Sequence, residues 1–350
     1  MSTNPTEPPG PPRRSSGAKT HKVLLALAAL LLGLAAGEGF LRAVHRPLDW
    51  EPGYDVLGRG WSRGLHQRSS VPGLDYELKP NLDATVFGVE VRTNRLGMRS
   101  PEITIEKPDG VRRIAALGDS VTFGWGVRQD QTWPRVLERR LNADGPRFQV
   151  IDMAVSGYNS RDEATLFLAR GAPLNPDLIV IGYVLNDPDI YPTQPLRLAY
   201  LRPAWWQHSS LLRLARKLLW KYDIWKYGGG DYVRYLHRDP ACRGSVIDSF
   251  RELAQWAGPR GVPVAVMIFP ELSVSDGPAY PYADVHEQVA HAARADGFAA
   301  LDLYPVFAAH PRAVLTISAD DPHPSAFAHE LTGRALESFI RGLEPGLFRK

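Results

Sequence analysis

Residues 112–122 read RRIAALGDSVT, and this stretch decides how the rest of the chain is interpreted. The apolar run 114–117 ends directly at Gly118, which is typical of a short buried strand that stops at a turn. Ser120 lies just past that turn, so its hydroxyl is expected in the crevice beyond the carboxyl end of the strand. A Gly-Asp-Ser tripeptide is also common in ordinary turns, so this segment needs support from elsewhere in the chain.

Strands and helices alternate in the sequence that follows this segment. Apolar runs predict further strands at 148–151, 178–181, 262–269 and 298–303. Helical spacing predicts helices at 133–141, 162–169, 247–256, 283–294 and 326–340. Continuous apolar strands separated by amphipathic helices indicate a mostly parallel sheet that is covered on both faces. The sequence therefore predicts a doubly wound, flavodoxin-like α/β domain over residues 112–345.

The N-terminal part of the chain predicts one transmembrane helix. Residues 1–22 are rich in Pro, Ser, Thr and Gly and predict a disordered cytoplasmic tail. Residues 23–41 form an apolar run that approaches the length needed to cross a bilayer. Basic residues precede this run, so the positive-inside rule directs the rest of the chain outward, which is the periplasm in a bacterium. Two alternatives stay open: a signal peptide cleaved near Gly37, which yields a secreted protein, and a buried core helix.

Two other regions do not follow the α/β alternation. Residues 42–111 predict a stalk followed by short hairpin strands on both sides of Gly88. Residues 189–239 form an insertion that is rich in Trp, Tyr, Arg and Lys. Three interpretations of this insertion are open: a lid over the substrate, a basic amphipathic helix on the membrane surface, and a helical subdomain whose aromatic side chains pack on the core.

Composition excludes several classes of protein. The 41 basic and 38 acidic residues leave a formal charge of +3, and no nucleic-acid-binding module is recognisable, so no nucleic-acid partner is expected. Cys242 is the single cysteine, which excludes an intramolecular disulfide and a thiolate zinc site. Ser120 lacks the flanking glycines of the Gly-x-Ser-x-Gly elbow, which disfavours the ordinary α/β-hydrolase fold.

Two further segments offer hydrogen-bond donors at the ends of the next strands. Gly157 follows the second strand of the predicted sheet, where a glycine permits the close backbone approach that a donor N–H needs. Asn186 follows the third strand, and its side-chain amide can donate to a developing oxyanion. An ordinary turn is the alternative at both positions.

The last segment, residues 320–324, reads DDPHP and precedes the final predicted helix. A serine hydroxyl attacks only when a base takes its proton, and an imidazole does this best when a carboxylate fixes its tautomer. Asp320 lies three residues before His323, so one turn of chain can bring its carboxylate to the imidazole. The side chain of Asp321 is expected to diverge from the ring. A solvated loop in which Ser325 caps the final helix is the alternative.

The four segments together resemble the SGNH (GDSL-like) serine hydrolase family, whose name gives Ser, Gly, Asn and His in this chain order. The resemblance covers about residues 112–341, apart from the insertion. It implies a catalytic set and an oxyanion hole: Ser120 as nucleophile, His323 as base, Asp320 as the residue that orients the base, and the Ser120 and Gly157 N–H groups with the Asn186 amide as donors. The family often has glycine two residues before the asparagine, whereas this chain has Val184 there.

The resemblance implies that the chain hydrolyses carboxylic esters through an acyl-enzyme, with no metal or organic cofactor. Together with the predicted anchor, it makes O-deacetylation of a cell-envelope glycan the leading hypothesis, with a small ester or an acylated glycan or lipid as substrate. An O-acyltransferase that uses the same residues is one alternative, because the motifs do not determine whether water or a sugar hydroxyl takes the acyl group. A non-catalytic, membrane-tethered glycan-binding protein is another.

Overall fold

The computed structural model describes residues 16–44, 64–86, 88–191, 209–275, 279–344 and 346. Most of the predicted cytoplasmic tail, residues 45–63 of the predicted stalk and residues 192–208 of the predicted insertion lie outside the described residues. The chain divides into two compact units. The smaller consists of Met1–Leu48 with Pro203–Leu219, and the larger consists of Asp49–Arg202 with Trp220–Lys350.

Two small antiparallel pairs of strands begin the larger unit. The first pair is β1 (His66–Arg68) with β2 (Tyr76–Leu78), and the second is β3 (Asp83–Val86) with β4 (Val89–Arg92). All three residues of β2 are buried. The main hydrophobic core also includes apolar side chains from this region, among them Leu65, Leu74, Val91 and Met98. The region predicted as stalk and hairpins therefore contributes, over its described residues, to the core of the larger unit.

A five-stranded parallel sheet forms the centre of the larger unit. Its strands are β5 (Arg112–Gly118), β6 (Phe148–Asp152), β7 (Leu178–Tyr183), β8 (Val264–Ile268) and β9 (Ala299–Asp302). They lie side by side in the order β6-β5-β7-β8-β9, and every adjacent pair is parallel. The strand order reverses between β5 and β7, which is where ligands bind in open α/β sheets. The predicted doubly wound α/β fold is confirmed.

Helices cover both faces of the sheet. In chain order the helices of the described residues, including α1 of the smaller unit, which is not part of this covering, are α1 (Ser16–Val44), α2 (Ser120–Phe123), α3 (Trp133–Leu141), α4 (Ser160–Leu166), α5 (Ser210–Gly228), α6 (Tyr232–Arg238), α7 (Pro240–Ala257), α8 (Ala283–Ala295), α9 (Tyr304–Phe307), α10 (Arg312–Leu315) and α11 (Ala326–Leu343). Successive residues of β5 alternate between two core clusters, Ile114 and Ala116 in one, Ala115 and Leu117 in the other. This alternation arises because neighbouring side chains of a strand point to opposite faces.

In the smaller unit, α1 is long and apolar. Its segment Thr20–Val44 has a mean hydropathy of 2.1 and is long enough to cross a membrane. Leucine side chains along it are exposed, for example Leu31 at 66% and Leu32 at 71%. Length and composition of this kind fit both a transmembrane anchor and a signal sequence.

Candidate active site

The turn after β5 presents Ser120 at the carboxyl edge of the sheet. The buried Asp119 caps α2, because its carboxylate accepts a hydrogen bond of 2.9 Å from the Val121 N–H. Ser120 is only half-buried, although its neighbours on both sides are buried. The hydroxyl of Ser120 is therefore accessible from the crevice, as the strand-end position predicts.

Two glycines allow α2 to approach the strand ends closely. A Cβ atom at Gly118 or at Gly182 would collide with the hydroxyl of Thr122, which is fully buried between them. Gly182 is therefore required for the packing of β7 against α2. Packing alone therefore explains the glycine at position 182, four residues before Asn186. Gly182 need not help to present the Asn186 amide.

His323 is in contact with Ser120, although 203 positions separate them in the chain. Its Nε2 lies 3.0 Å from the Ser120 Oγ, and its Nδ1 lies 2.6 Å from Oδ1 of Asp321. Both distances fit hydrogen bonds. A carboxylate at Nδ1 holds the proton on that nitrogen, so Nε2 can accept the proton of the serine hydroxyl.

The carboxylate at the imidazole belongs to Asp321, which corrects the prediction of Asp320. Oδ1 of Asp321 also accepts a hydrogen bond of 3.0 Å from the backbone N–H of His323. This local turn folds the side chain back toward the ring, so it does not diverge as expected. Asp320 is exposed, and its backbone N–H points to the Ser318 hydroxyl at 3.3 Å.

The loop that carries His323 is held at both ends. The Ile317 N–H donates to the His323 carbonyl at 2.9 Å, and the Ser325 N–H donates to the Leu315 carbonyl at 2.8 Å. The Ser325 hydroxyl accepts from the Ala328 N–H at 3.3 Å and so caps α11. Ser325 therefore caps α11 while His323 stays in contact with Ser120.

A tryptophan that the sequence analysis did not select lies beside the imidazole. The ring of the buried Trp125 is centred 5.9 Å from the ring of His323. Gly124 and Gly126 on either side have φ of +80° and +75°, a backbone conformation that favours glycine. A large aromatic residue between two glycines, directly after the nucleophile turn, is the sequence signal that could have identified it.

The two predicted oxyanion donors also lie at loops after the strands. Gly157 has a φ of +81°, and Asn186 is half-exposed between two buried residues. Among the residues that the structure describes, neither the Gly157 N–H nor the Asn186 side-chain amide has a protein hydrogen-bond partner. Both groups can therefore donate to a bound substrate.

Side-chain hydrogen bonds connect these two donor loops. The Asn159 amide donates to the Asp189 carbonyl at 2.8 Å. Oδ2 of Asp187 accepts from the Val184 N–H at 3.0 Å, which closes the turn that carries Asn186. The turn thus forms with valine in place of the glycine that the family often has at 184.

Residues 116–331 match the family model described as the GDSL-like Lipase/Acylhydrolase family, from within β5 to within α11. The chain belongs to this family. It is accordingly a serine ester hydrolase of the GDSL-like class. No curated protein matches it.

Solved structures that resemble this GDSL-like hydrolase are distant from it in sequence. The structure titled TesA is 18% identical, covers 66% of this chain and 99% of its own, and gives a TM-score of 0.42. A lipase/acylhydrolase from Enterococcus faecalis is 18% identical, covers 67% of this chain and 97% of its own, and gives a TM-score of 0.41. The acetyl xylan esterase AlAXEase is 13% identical, covers 65% of this chain and 99% of its own, and gives a TM-score of 0.42.

A tyrosine from the N-terminal region holds the Gly157 loop of the hydrolase. The Tyr76 hydroxyl donates to the Ser156 carbonyl at 3.0 Å, and the Tyr158 hydroxyl donates to the Tyr76 carbonyl. The two tyrosine rings pack edge to face with their centroids 5.3 Å apart. Three buried contacts from β2 thus fix the residues on both sides of Gly157.

A buried arginine from the same region holds the segment after Ser120. Nη1 of Arg99 donates to the Phe123 and Gly124 carbonyls at 2.7 Å each, and Nη2 donates to the Val127 carbonyl at 2.8 Å. Its guanidinium carbon also lies 4.7 Å from the centre of the Phe123 ring. Burial lowers the pKa of Arg99 to about 10, so it stays charged at neutral pH. No local motif in the sequence marks Arg99 or Tyr76.

Three buried carboxyl groups lie behind the nucleophile turn. Burial raises the pKa of Asp119, Glu163 and Asp187. Repulsion by neighbouring carboxylates raises the pKa of Glu163 and of Asp187 further. Neither carboxylate oxygen of Glu163 has a partner among the described residues. Among the described residues, no cluster of His, Cys, Asp or Glu is arranged to hold a metal ion.

A cavity of about 960 Å³ lies at the amino ends of β5 and β6, and Lys107, Arg112 and Phe148 are among its lining residues. Ser120 lies beyond the carboxyl end of β5, at the other edge of the sheet. The cavity therefore takes no part in the ester chemistry.

Proposed function

We propose that this hydrolase is an outward-facing, membrane-anchored serine esterase that removes O-acetyl groups from a cell-envelope glycan. The observation that carries the catalytic part is the relay from the Ser120 Oγ to His323 at 3.0 Å and from His323 to Asp321 at 2.6 Å. The relay lies at the carboxyl edge of the sheet, beside the switch in strand order.

In the acylation step, His323 takes the proton of Ser120 while the serine oxygen attacks the carbonyl carbon of the ester. The carbonyl oxygen becomes an oxyanion, which the Ser120 and Gly157 N–H groups and the Asn186 amide stabilise. The protonated imidazole, held by Asp321, then gives its proton to the leaving alcohol. This leaves an acyl group on Ser120.

In the deacylation step, a water molecule replaces the alcohol. The neutral His323 takes a proton from this water as it attacks the acyl carbon. When the second tetrahedral intermediate collapses, the imidazole returns the proton to the Ser120 oxygen. The carboxylic acid is released and the resting hydrogen bonds form again.

The hydrogen bonds of Glu38 support an anchor over a cleaved signal peptide. Glu38 lies on α1 and accepts from the Ser209 hydroxyl at 3.0 Å and from the backbone N–H groups of Ser210 at 2.9 Å and Leu211 at 3.0 Å. Cleavage near Gly37 would remove the helix that holds this carboxylate in place. An enzyme that is anchored on the outward-facing side of a membrane meets envelope polymers, and this supports a glycan as the substrate.

The test uses the full chain in detergent with an activated acetyl ester. Ser120→Ala removes the nucleophile, and we expect hydrolysis to fall by about 10³-fold or more. Ser70→Ala, at an exposed serine, is the matched control and should hydrolyse at the wild-type rate. Equal turnover by Ser120→Ala and the wild type would refute the catalytic assignment.

Two further measurements separate the remaining alternatives. Mass spectrometry of an acetylated envelope glycan should show loss of acetyl groups, whereas transfer to an added sugar acceptor would identify an acyltransferase. A fluorophosphonate probe should label Ser120 in the wild type. Glycan binding without such labelling would identify a binding protein.

A further inference from the structure

The part of α5 from residue 220 onward belongs to the larger unit and packs one apolar face within that unit. Trp220, Ile224 and Tyr227 are partly buried against the cluster of Tyr235, Leu236 and Cys242. The spacing of four and three residues places these three side chains on the same side of the helix. This contact accounts for the packing subdomain among the three interpretations of the insertion, but only for one face of the helix.

A second apolar face of α5 is exposed. Leu214, Leu218, Tyr222 and Trp225, the outer stripe, are 38%, 58%, 54% and 66% exposed. Their spacing of four, four and three residues makes them a continuous row, and the rings of Tyr222 and Trp225 are 6.0 Å apart. At 1.5 Å per residue, the row is about 16 Å long and lies on the side of the helix opposite the packed face. Contiguous exposed apolar side chains of this kind are a feature of protein and membrane interaction sites.

Basic residues accompany the outer stripe. The sequence of α5 contains five basic residues and one acidic residue, Asp223. Lys221 and Lys226 flank the outer stripe, one on each side, and both are exposed. Such a helix is complementary to the surface of a membrane, where anionic lipid headgroups lie outside the apolar acyl chains. A second copy of α5 fits less well, because pairing of two outer stripes would bring like charges together.

The start of α5 is held against α1. The Glu38 carboxylate accepts from both of the first two backbone N–H groups of α5, and the Leu211 side chain lies 3.6 Å from the position that a Cβ atom would take at Gly37. Glu38 lies near the outer end of the apolar run of α1. In a membrane-spanning α1, this contact places the first turn of α5 at the level of the headgroups.

We propose that α5 is an interfacial helix whose outer stripe rests in the outer headgroup region of the membrane that α1 crosses. This inference rests on the proposed transmembrane anchor and is independent of the proposed ester chemistry. Anionic lipid headgroups are the partner of Lys221 and Lys226, and the acyl-chain boundary is the partner of the outer stripe.

The test places nitroxide labels on the full chain in vesicles of phosphatidylglycerol and phosphatidylcholine. Leu218→Cys and Trp225→Cys report on the outer stripe, and Arg216→Cys is the matched control on another side of α5. The native Cys242 is fully buried, and the unsubstituted chain measures any background labelling. A thermal unfolding transition like that of the unsubstituted chain confirms that each variant is folded.

The measured quantities are the collision rates of each nitroxide label with oxygen and with a water-soluble nickel chelate. We expect nickel access at positions 218 and 225 to be at least about threefold lower than at position 216, with oxygen access higher. Equal nickel access at the three positions would overturn the inference. Dipolar broadening between labels at 218 in different molecules would also overturn it, because a second copy would then cover the stripe.

A label at Leu31→Cys distinguishes failure of this inference from failure of the anchor. If position 31 is in lipid while 218 and 225 are in water, α1 is an anchor and α5 is not interfacial. If position 31 is also in water, the anchor on which the inference rests is itself refuted. Ester hydrolysis by the same samples is read separately and tests the catalytic proposal alone.

Discussion

Two adjacent aspartates, Asp320 and Asp321, provide a matched pair of variants for the role of the carboxylate at His323. Replacing either with asparagine keeps the size of the side chain and removes its charge. The structure has Asp321 at 2.6 Å from Nδ1, whereas Asp320 is exposed to solvent. We therefore expect Asp321→Asn to impair the enzyme and Asp320→Asn to leave its activity within about twofold of the wild type, which is the usual range for an exposed substitution.

The size of the Asp321→Asn effect follows from the bond that it weakens. A hydrogen bond to a charged group contributes about 1.5–3 kcal/mol, and the side chains of Asp321 and His323 are 32% and 29% exposed, so solvent screens part of it. A value of about 2 kcal/mol corresponds to about a 30-fold loss. An asparagine amide can also donate to Nδ1, which leaves the proton on Nε2 and removes the acceptor for Ser120. This second effect can increase the loss to about 10³-fold.

The assay is the pH dependence of kcat and KM with an activated acetyl ester. Loss of the carboxylate should lower kcat at nearly constant KM. The reason is that the hydrogen bond between Asp321 and His323 strengthens in the transition state, where the imidazole becomes charged. The double variant tests whether one aspartate replaces the other, in which case it should lose more than either single variant. A larger loss in Asp320→Asn than in Asp321→Asn would refute the assignment.

Of three other predictions, two concern residues that support the site, and the third concerns Asp152, the buried last residue of β6. Gly157→Ala places a side chain at a φ of +81°, and we expect kcat to fall about tenfold or more with an unfolding free energy lower by about 1 kcal/mol, measured by kinetics and thermal denaturation. Arg99→Met leaves three buried carbonyls without their donor, so the unfolding free energy should fall by about 2–4 kcal/mol in a denaturant titration, and an unchanged midpoint would contradict this. Burial raises the pKa of Asp152 from 3.8 to about 7, so the native state binds its proton more tightly than the unfolded state. Stability present below about pH 4 should then be lost as the pH rises through 7, by up to about 4 kcal/mol, and Asp152→Asn should remove this dependence in unfolding measurements across that range.

The α/β core could be predicted because its pattern is local. β7 and β8 are buried along their whole length, and each is a continuous apolar run that ends at a recognisable turn. The order of the strands follows from the fold class that such runs indicate. The small strands β1 and β2 are harder to assign from sequence, because each has only three paired residues. The burial of β2 also depends on distant parts of the chain.

The proximity of Ser120 and His323, the proposed nucleophile and base, could be predicted for a similar reason. Ser120 and His323 each lie in a short motif at the end of a regular element, and parallel strands bring their carboxyl ends to one edge of the sheet. The choice between Asp320 and Asp321 could not be made by counting residues. It depends on a hydrogen bond from the backbone of His323 to the side chain of Asp321, which forms only in the folded loop.

The supporting residues show that the site extends beyond the segment that carries the family motifs. That segment starts at residue 116, whereas Arg99 and Tyr76 precede it in the chain. Arg99 satisfies three carbonyls in the turn after the nucleophile, and Tyr76 fixes the carbonyl next to Gly157. A buried carbonyl without a donor costs free energy, so without these two residues both loops would shift toward conformations that expose the carbonyls to water. An oxyanion hole requires its donors in place before the charge develops. The N-terminal region therefore supports the placement on which the proposed chemistry at Ser120 depends.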